Sequence, residues 1–348
     1  MIKQNSAANI DEPRFKRAHR FACKFLLLTG QHCLPIDPLK IAGSLGIHVM
    51  TYQQVMRRQN CSLAEAIAEA GSDEGVSYYK PTANQYFIFY NTAIASPGRI
   101  RFTIMHEIGH IFLEHFTAFG LTKLTRGFSP KELIVLDQEA DAFASSTLVP
   151  PVVLRTLKWD TAILIRKHCG LSQEAATYRA QHMKTICALE RYYINDYESD
   201  LYRNFLPFIY QKRCMNCEAH FFDKDAAYCP ICGSNKIIWG EGELIYSGFE
   251  LDANGKAVVC PRCTSEEINS DHPYCKICGA YLINSCSGSY SWNENNEEFL
   301  SKRSCSAIAS GNARYCVRCG GVTTFFRQNV LKPWDANNDN FSGEEIPF

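Results

Sequence analysis

The sequence has no excess charge of either sign and no long apolar run. Its 36 Lys and Arg residues are matched by 36 Asp and Glu, a formal net charge of zero. That balance excludes a bulk attraction to nucleic acid or to an anionic membrane. No apolar stretch approaches the roughly 18–20 residues that a membrane span needs. A secretory leader is not recognisable either, because the run Phe25 to Leu28 is too short and has Arg and Lys scattered around it. The expectation is a cytoplasmic protein with no membrane partner. Cysteine, by contrast, is abundant: 17 in 348 residues. In a short secreted chain that would mean disulfides, whereas in a long chain without a leader metal sites are the better reading. Cys23, Cys33, Cys61, Cys169 and Cys187 are scattered and read as small buried hydrophobes. The other twelve crowd between Cys214 and Cys319.

The first two-thirds of the chain turn on Ile104-Met105-His106-Glu107-Ile108-Gly109-His110-Ile111-Phe112-Leu113. Written as a helix, His106 and His110 lie one turn apart on one face and can hold a Zn²⁺ ion from one side. Glu107 follows the first histidine, placed to take a proton from a water attacking a peptide carbonyl and to pass it to the leaving amine. This is the H-E-x-x-H pattern of zinc peptidases. Ser96-Pro97-Gly98 supplies a cap with Pro at the first helical position. Phe102, Met105, Ile108, Gly109 and Phe112 recur at helical spacing, enough to bury one face.

Upstream, Phe21 to Thr29 reads as an apolar helix and Leu34 to Ala42 as a capped entry into a second short helix, which closes at Leu45-Gly46. Ile47 to Met50 follows as a strand and Cys61 to Ala70 as a helix. Gly75 to Tyr79 and Tyr86 to Tyr90 are rich in aromatic and β-branched residues and flank a Pro-Thr-Ala-Asn turn, a hairpin signal. Tyr86 to Tyr90 is the strand placed to align a substrate along a sheet edge, with an ordinary structural hairpin as the equal alternative. Downstream, Ser129-Pro130-Lys131-Glu132 is a capping box opening a helix that Pro150-Pro151 stops. A single-Zn site needs a third protein ligand, and this second helix carries Asp137, Glu139 and Asp141. Asp137 and Asp141 share a face, so Asp137 can ligate while Asp141 orients an imidazole. Glu139, about 200° around the helix from Asp137, is the rival ligand. Further on, Gly170 reads as a helix stop and Ser172 as the next cap. His168 and Tyr178 are weaker candidates for stabilising an oxyanion.

His106-Glu107-Ile108-Gly109-His110, the run Glu139-Ala140-Asp141-Ala142-Phe143-Ala144 and the closing Leu148-Val149-Pro150 resemble the ImmA/IrrE family of metallo-endopeptidases. Pro35 to Ala42 and the Phe102 entry to the metal helix fit the same pattern. The resemblance covers residues of about 20 to 180. It implies a small zincin-like domain with two His ligands, a Glu base and a third carboxylate ligand. It also implies a cytoplasmic protease acting on a helix-turn-helix repressor of the XRE type, in the service of transcription regulation, often on mobile elements. One departure stands out: the family usually has Glu where this chain has Asp137, and the shorter side chain requires the second helix to sit about a methylene closer.

The cysteine-rich third is periodic. Cys214-x₂-Cys217 and Cys229-x₂-Cys232 are repeated 46 residues later by Cys260-x₂-Cys263 and Cys275-x₂-Cys278, with a Gly after each second pair. Two such knuckles offer four thiolates in a tetrahedron, the closed geometry of structural Zn²⁺. Cys316-x₂-Cys319 resembles a third second knuckle, but only Cys305 stands near it upstream and its missing partner, Cys286, is far from the usual spacing. From Cys214 to Cys319 there are 9 Lys/Arg against 13 Asp/Glu, so this region is expected to recognise protein rather than nucleic acid.

The expected architecture is α+β. It comprises a flexible arm over residues 1–20, a zincin-like metallopeptidase domain over 21–155 and a helical extension and connector over 156–212. Small zinc ribbons, each with four cysteine ligands, follow over 213–245 and 256–284, with a degenerate third over 285–325 and a disordered tail over 326–348. The expected cofactors are one catalytic Zn²⁺ and two structural ones, a third being left open. The expected function is cleavage of a protein partner, with an XRE-type repressor as the class the resemblance implies. The alternative is a catalytically inert peptidase-like sensor that acts through its ribbons.

Overall fold

A computed structural model describes residues 12–93, 96–116, 122, 129–189, 194–268, 272–293, 298–302 and 304–336. The chain divides into two compact units, Met1–Ile209 and Tyr210–Phe348. Among the described residues no helix is long and apolar enough to cross a membrane.

The first unit opens with α1 (Phe15–Leu28) and α2 (Pro38–Ser44), followed by β1 (His48–Thr51), α3 (Tyr52–Gln59) and α4 (Leu63–Ala70). The hairpin predicted from the aromatic runs is present as β2 (Gly75–Lys80) and β3 (Gln85–Tyr90), paired antiparallel. Next come α5 (Pro97–Phe112), which bears the H-E-x-x-H residues, and α6 (Pro130–Leu148). The unit finishes with α7 (Pro151–Leu157), α8 (Ala162–Cys169), α9 (Gln173–Ala188), α10 (Asp196–Asn204) and α11 (Leu206–Ile209).

The local chemistry explains most of these boundaries. Asp37 accepts backbone N–H bonds from Leu39 and Lys40 and so caps α2. Ser129 and Glu132 form the reciprocal capping box that starts α6. Gly170 ends α8 in the left-handed conformation, at φ +66°. Helices α1, α5 and α6 close around Phe25, Phe112 and Phe143, whose rings meet edge to face at 4.6 Å (Phe25–Phe112) and 5.3 Å (Phe25–Phe143).

Three expectations need correction. Helix α1 begins at Phe15, not Phe21, because its apolar stripe runs back through the fully buried Ala22 and Ala18. The predicted flexible arm is therefore helical from Phe15 onward, while residues 1–11 lie outside the described residues. Second, the sheet order is β1-β3-β2, with β1 parallel to β3. Tyr86 to Tyr90 thus lies in the central strand, both of whose edges are already bonded, and cannot receive a substrate strand. The sheet edges belong to β1 and β2. Third, the tail predicted from residue 326 is structured at its start: Leu331 is buried with Phe325 and Ala257, and Arg314 Nε donates to the Lys332 carbonyl. Residues 337–348 lie outside the described residues.

The second unit contains β4 (Gln211–Cys214), β5 (His220–Phe222) and β6 (Ile237–Trp239), in the order β5-β4-β6. A two-stranded ladder of β7 (Ser289–Asn293) and β8 (Glu298–Lys302) follows, then the short α12 (Thr324–Arg327). Most of the remaining chain is organised by cysteine clusters.

Two glycines set the position of α5. A Cβ on Gly109 would meet the Phe143 ring at 3.1 Å and the Ala140 carbonyl at 3.2 Å, so α5 and α6 touch nearly backbone to backbone there. A Cβ on Gly98 would overlap the backbone of Leu171 and Ser172 at the α8–α9 turn. Since backbone cannot move aside as a flexible side chain can, Gly98→Ala should destabilise the first unit by about 3 kcal/mol. Thermal denaturation followed by circular dichroism checks this, and an unchanged Tm would contradict it.

Candidate active site and metal centres

Helix α5 presents His106 and His110 on the face that meets α6. Their Nε2 atoms lie 2.9 Å apart, and Asp137 Oδ1 sits 3.4 Å from His110 Nε2 and 3.9 Å from His106 Nε2. These three groups each offer a ligand atom to a common point, as a metal site requires. The close α5–α6 contact at Gly109 brings the shorter Asp137 side chain within reach.

What lies behind the imidazoles fixes which nitrogen is available. His106 Nδ1–H donates to Asp141 Oδ1 at 2.7 Å, the orienting role expected of Asp141. His110 Nδ1 meets His115 Nδ1 at 2.9 Å, and His115 Nε2 meets Glu139 Oε2 at 3.3 Å. A carboxylate can only accept, so His115 carries its proton on Nε2 and its Nδ1 accepts from His110 Nδ1–H. Both candidate ligands therefore turn an Nε2 lone pair toward Asp137. Three acceptor groups converging in this way suit a cation. Burial depresses the His110 pKa to about 3. Burial also opposes charge on His106, but the Asp141 hydrogen bond and the nearby carboxylates of Glu107, Asp141 and Asp137 outweigh it and raise that pKa.

Glu139 stays outside the convergent group. It is fully buried on another face of α6, where Arg14 binds it through its backbone N–H and its Nε, both at 2.7 Å. Arg17 approaches to 3.7 Å. Burial alone would raise the Glu139 pKa, yet the bonds from His115 and Arg14 hold it down at about 2. The residue weighed as a rival ligand is thus the anchor of the His110–His115 pair.

Glu107 is 7% exposed. Ser77 Oγ–H, on β2, donates to its Oε2 at 2.5 Å. Burial raises the Glu107 pKa, and the opposing pull of His106 and Ser77 does not cancel it. Of the weaker candidates, His168 stacks on Trp159 with ring centroids 4.1 Å apart, and Tyr178 is 76% exposed; neither joins the convergent group. Sequence reasoning missed Ser77, His115, Arg14 and Arg17. His115 was the one with a usable signal, a third histidine just past the motif.

The second unit brings its twelve clustered cysteines into three groups of four: Cys214/Cys217/Cys229/Cys232, Cys260/Cys263/Cys275/Cys278 and Cys286/Cys305/Cys316/Cys319. All are free thiols. Sulfur pairs stand 3.5 and 3.6 Å apart in the first group, 3.6 and 3.7 Å in the second, and 3.5 Å for both pairs in the third. A tetrahedron with metal–sulfur bonds of about 2.3 Å has edges of about 3.8 Å, so all three groups fit an ion with little adjustment. Cys286 completes the third group despite its distant position, because the β7–β8 ladder is inserted between it and Cys305. The third ribbon, expected to be degenerate, has a full ligand set.

Native mass spectrometry of metal content tests these assignments. Asp137→Asn should remove one ion per chain, and so should Cys286→Ser. Glu139→Gln should keep every ion while costing about 2 kcal/mol of stability at pH 7, because Arg14 and His115 lose a buried charged acceptor; Arg14 is itself half exposed, which moderates the loss.

Residues 44–181 match the family model described as the IrrE N-terminal-like domain of the peptidase M78 family. No curated protein matches the chain. Among solved structures, a Mycobacterium tuberculosis transcriptional regulator is similar at 15% identity and a TM-score of 0.30, over 47% of this chain and 50% of that one. His106, Glu107, His110 and Asp137 all lie within the segment that matches the IrrE N-terminal-like model.

Proposed function

We propose that the first unit is a zinc-dependent endopeptidase that hydrolyses an internal peptide bond in a protein partner. The observation that carries this reading is the convergence of two imidazole Nε2 atoms and the Asp137 carboxylate beside a buried glutamate. His106, His110 and Asp137 would hold the ion, which when bound polarises a carbonyl and makes water a better nucleophile near neutral pH. Glu107 accepts a proton from the attacking water at a carboxylate oxygen and delivers it to the leaving amine nitrogen. Ser77 holds that carboxylate in place, and the raised pKa suits a group that must take up a proton and release it in one turnover. Asp141 and His115 keep the two imidazoles in the tautomer with Nε2 free.

An extended substrate would lie along β2, an edge strand that also carries Ser77. On its outer side the Tyr79 N–H already donates to the Thr122 carbonyl at 3.0 Å, a bond that a substrate strand would have to replace. The substrate class, a helix-turn-helix repressor of the XRE type, follows from the family resemblance. The ribbons of the second unit would serve partner recognition, and their slight acidity favours a protein over nucleic acid.

Glu107→Gln should lower the rate of partner cleavage by at least about 10³-fold while the bound metal is retained. Incubation with the partner, peptide mapping of the products and metal analysis of the same sample check both halves. Cleavage at the wild-type rate would remove Glu107 from the reaction.

A further inference from the structure

The three cysteine groups share a seven-residue knuckle that ends Tyr-Cys-x-x-Cys-Gly: Ala227 to Gly233, Arg314 to Gly320 and Pro273 to Gly279. The first two pack against each other with reciprocal contacts. The N–H groups of Ala227 and Tyr228 donate to the Val317 carbonyl at 2.8 and 2.9 Å, and those of Arg314 and Tyr315 donate to the Pro230 carbonyl at 2.7 and 3.0 Å. The rings reciprocate as well. A Cβ on Gly233 would lie 2.9 Å from the Tyr315 ring, and one on Gly320 would lie 3.0 Å from the Tyr228 ring. Each tyrosine thus covers the other knuckle's glycine, and equivalent atoms exchange roles. A contact in which each side offers the same groups and receives the same groups is self-complementary, as in a two-fold interface.

The middle knuckle has the same parts and no such partner among the described residues. Tyr274 is 58% exposed and Ile277 64% exposed. Gly279 has the matching left-handed φ of +69°, and nothing lies within 4 Å of where its Cβ would be. Lys276, whose carbonyl corresponds to those of Pro230 and Val317, has its charge countered by Glu267 at 2.6 Å. We propose that this knuckle pairs with the same knuckle of a second copy of the chain, using the contact already formed between the first and third groups. The Tyr274 N–H of each copy donates to the Lys276 carbonyl of the other, and each Tyr274 ring covers the other's Gly279. Pro273 stands where Ala227 and Arg314 supply their N–H, so each side loses one of the two donors. A patch of this size with half its hydrogen bonds makes a weak dimer, with Kd roughly between 10 µM and 1 mM. This pairing is independent of the peptidase reading.

Sedimentation velocity of the full-length chain over a concentration series tests it, with native mass spectrometry confirming the metal content of every variant. A monomer–dimer equilibrium is expected. Tyr274→Ala and Ile277→Asp should weaken it by at least about tenfold, and Tyr274→Phe should leave it unchanged. Pro273→Ala should tighten it by roughly tenfold, since two backbone donors per dimer are restored; misfolding does not produce a gain of that kind. A photo-crosslinking residue at position 274 should link two copies through residues 273–281. A monomer at about 1 mM, a dimer indifferent to Tyr274→Ala and Ile277→Asp, or crosslinks elsewhere would overturn the proposal.

Discussion

Two imidazole nitrogens 2.9 Å apart cannot both carry a proton, and the groups behind them ensure that neither needs to. His106 Nδ1–H donates to Asp141. His110 Nδ1–H donates to His115, whose own Nε2–H donates to Glu139, a carboxylate that Arg14 and Arg17 keep ionised. The chain of donors runs in one direction only, because it ends on a carboxylate that accepts and never donates while ionised. Its far end lies on α1. The N-terminal helix is therefore more than packing for the domain: its N-cap residue Arg14 and its first-turn Arg17 supply the cations that set the tautomer of a residue on α5. The same logic accounts for Glu139 being buried without ligating, since a carboxylate cannot anchor this chain and face an ion at once.

The H-E-x-x-H helix with Pro97 at its start, the hairpin and the second acidic helix with its capping box were all legible, because each is encoded within a few residues of itself; the Ser96 side chain, expected to cap the first helix, makes no cap hydrogen bond. The choice of Asp137 over Glu139 was partly legible from helical rotation alone. What could not be read was anything that depends on which distant segment arrives. Ser77 is one of many serines until β2 is laid beside α5. Arg14 and Arg17 read as a loose basic arm because charge on a short segment is the usual mark of a solvated one, and only the buried Glu139 across the fold reverses that. The placement of Tyr86 to Tyr90 failed for a similar reason. A hairpin is a local object, but which of its strands is the edge is decided by β1, a strand that pairs from more than thirty residues away.

The third cysteine group shows the same limit from another side. Ligand spacing is a reliable signal when the knuckles are joined directly, as in the first two groups. Inserting β7 and β8 between Cys286 and Cys305 leaves the sulfur positions intact while erasing the spacing. Loop-closure cost grows only slowly with length, so a metal site tolerates such an insertion far better than a pattern reader does.

The two units differ in how their cores are built. In the first, Phe25, Phe143, Met105, Leu136 and their neighbours are buried by apolar packing, and His106, His110 and Asp137 add little to that core. In the second, the cysteines are themselves much of the core: Cys214, Cys217 and Cys229 share one cluster with Ala219, Phe221 and Ile231, and Cys260 and Cys275 share another with Ala280 and Leu282. Four sulfurs within 4.8 Å of one another attract nothing on their own; as thiolates they repel, and as thiols they make weak hydrogen bonds. Only a cation converts the cluster from a cost into a source of folding free energy, on the order of 10 kcal/mol per site. On the proposed reading an ion would be a reagent for the first unit and a structural member for the second. That difference matches the chemistry of the two donor sets: three convergent groups leave a coordination position open, whereas four thiolates close around an ion.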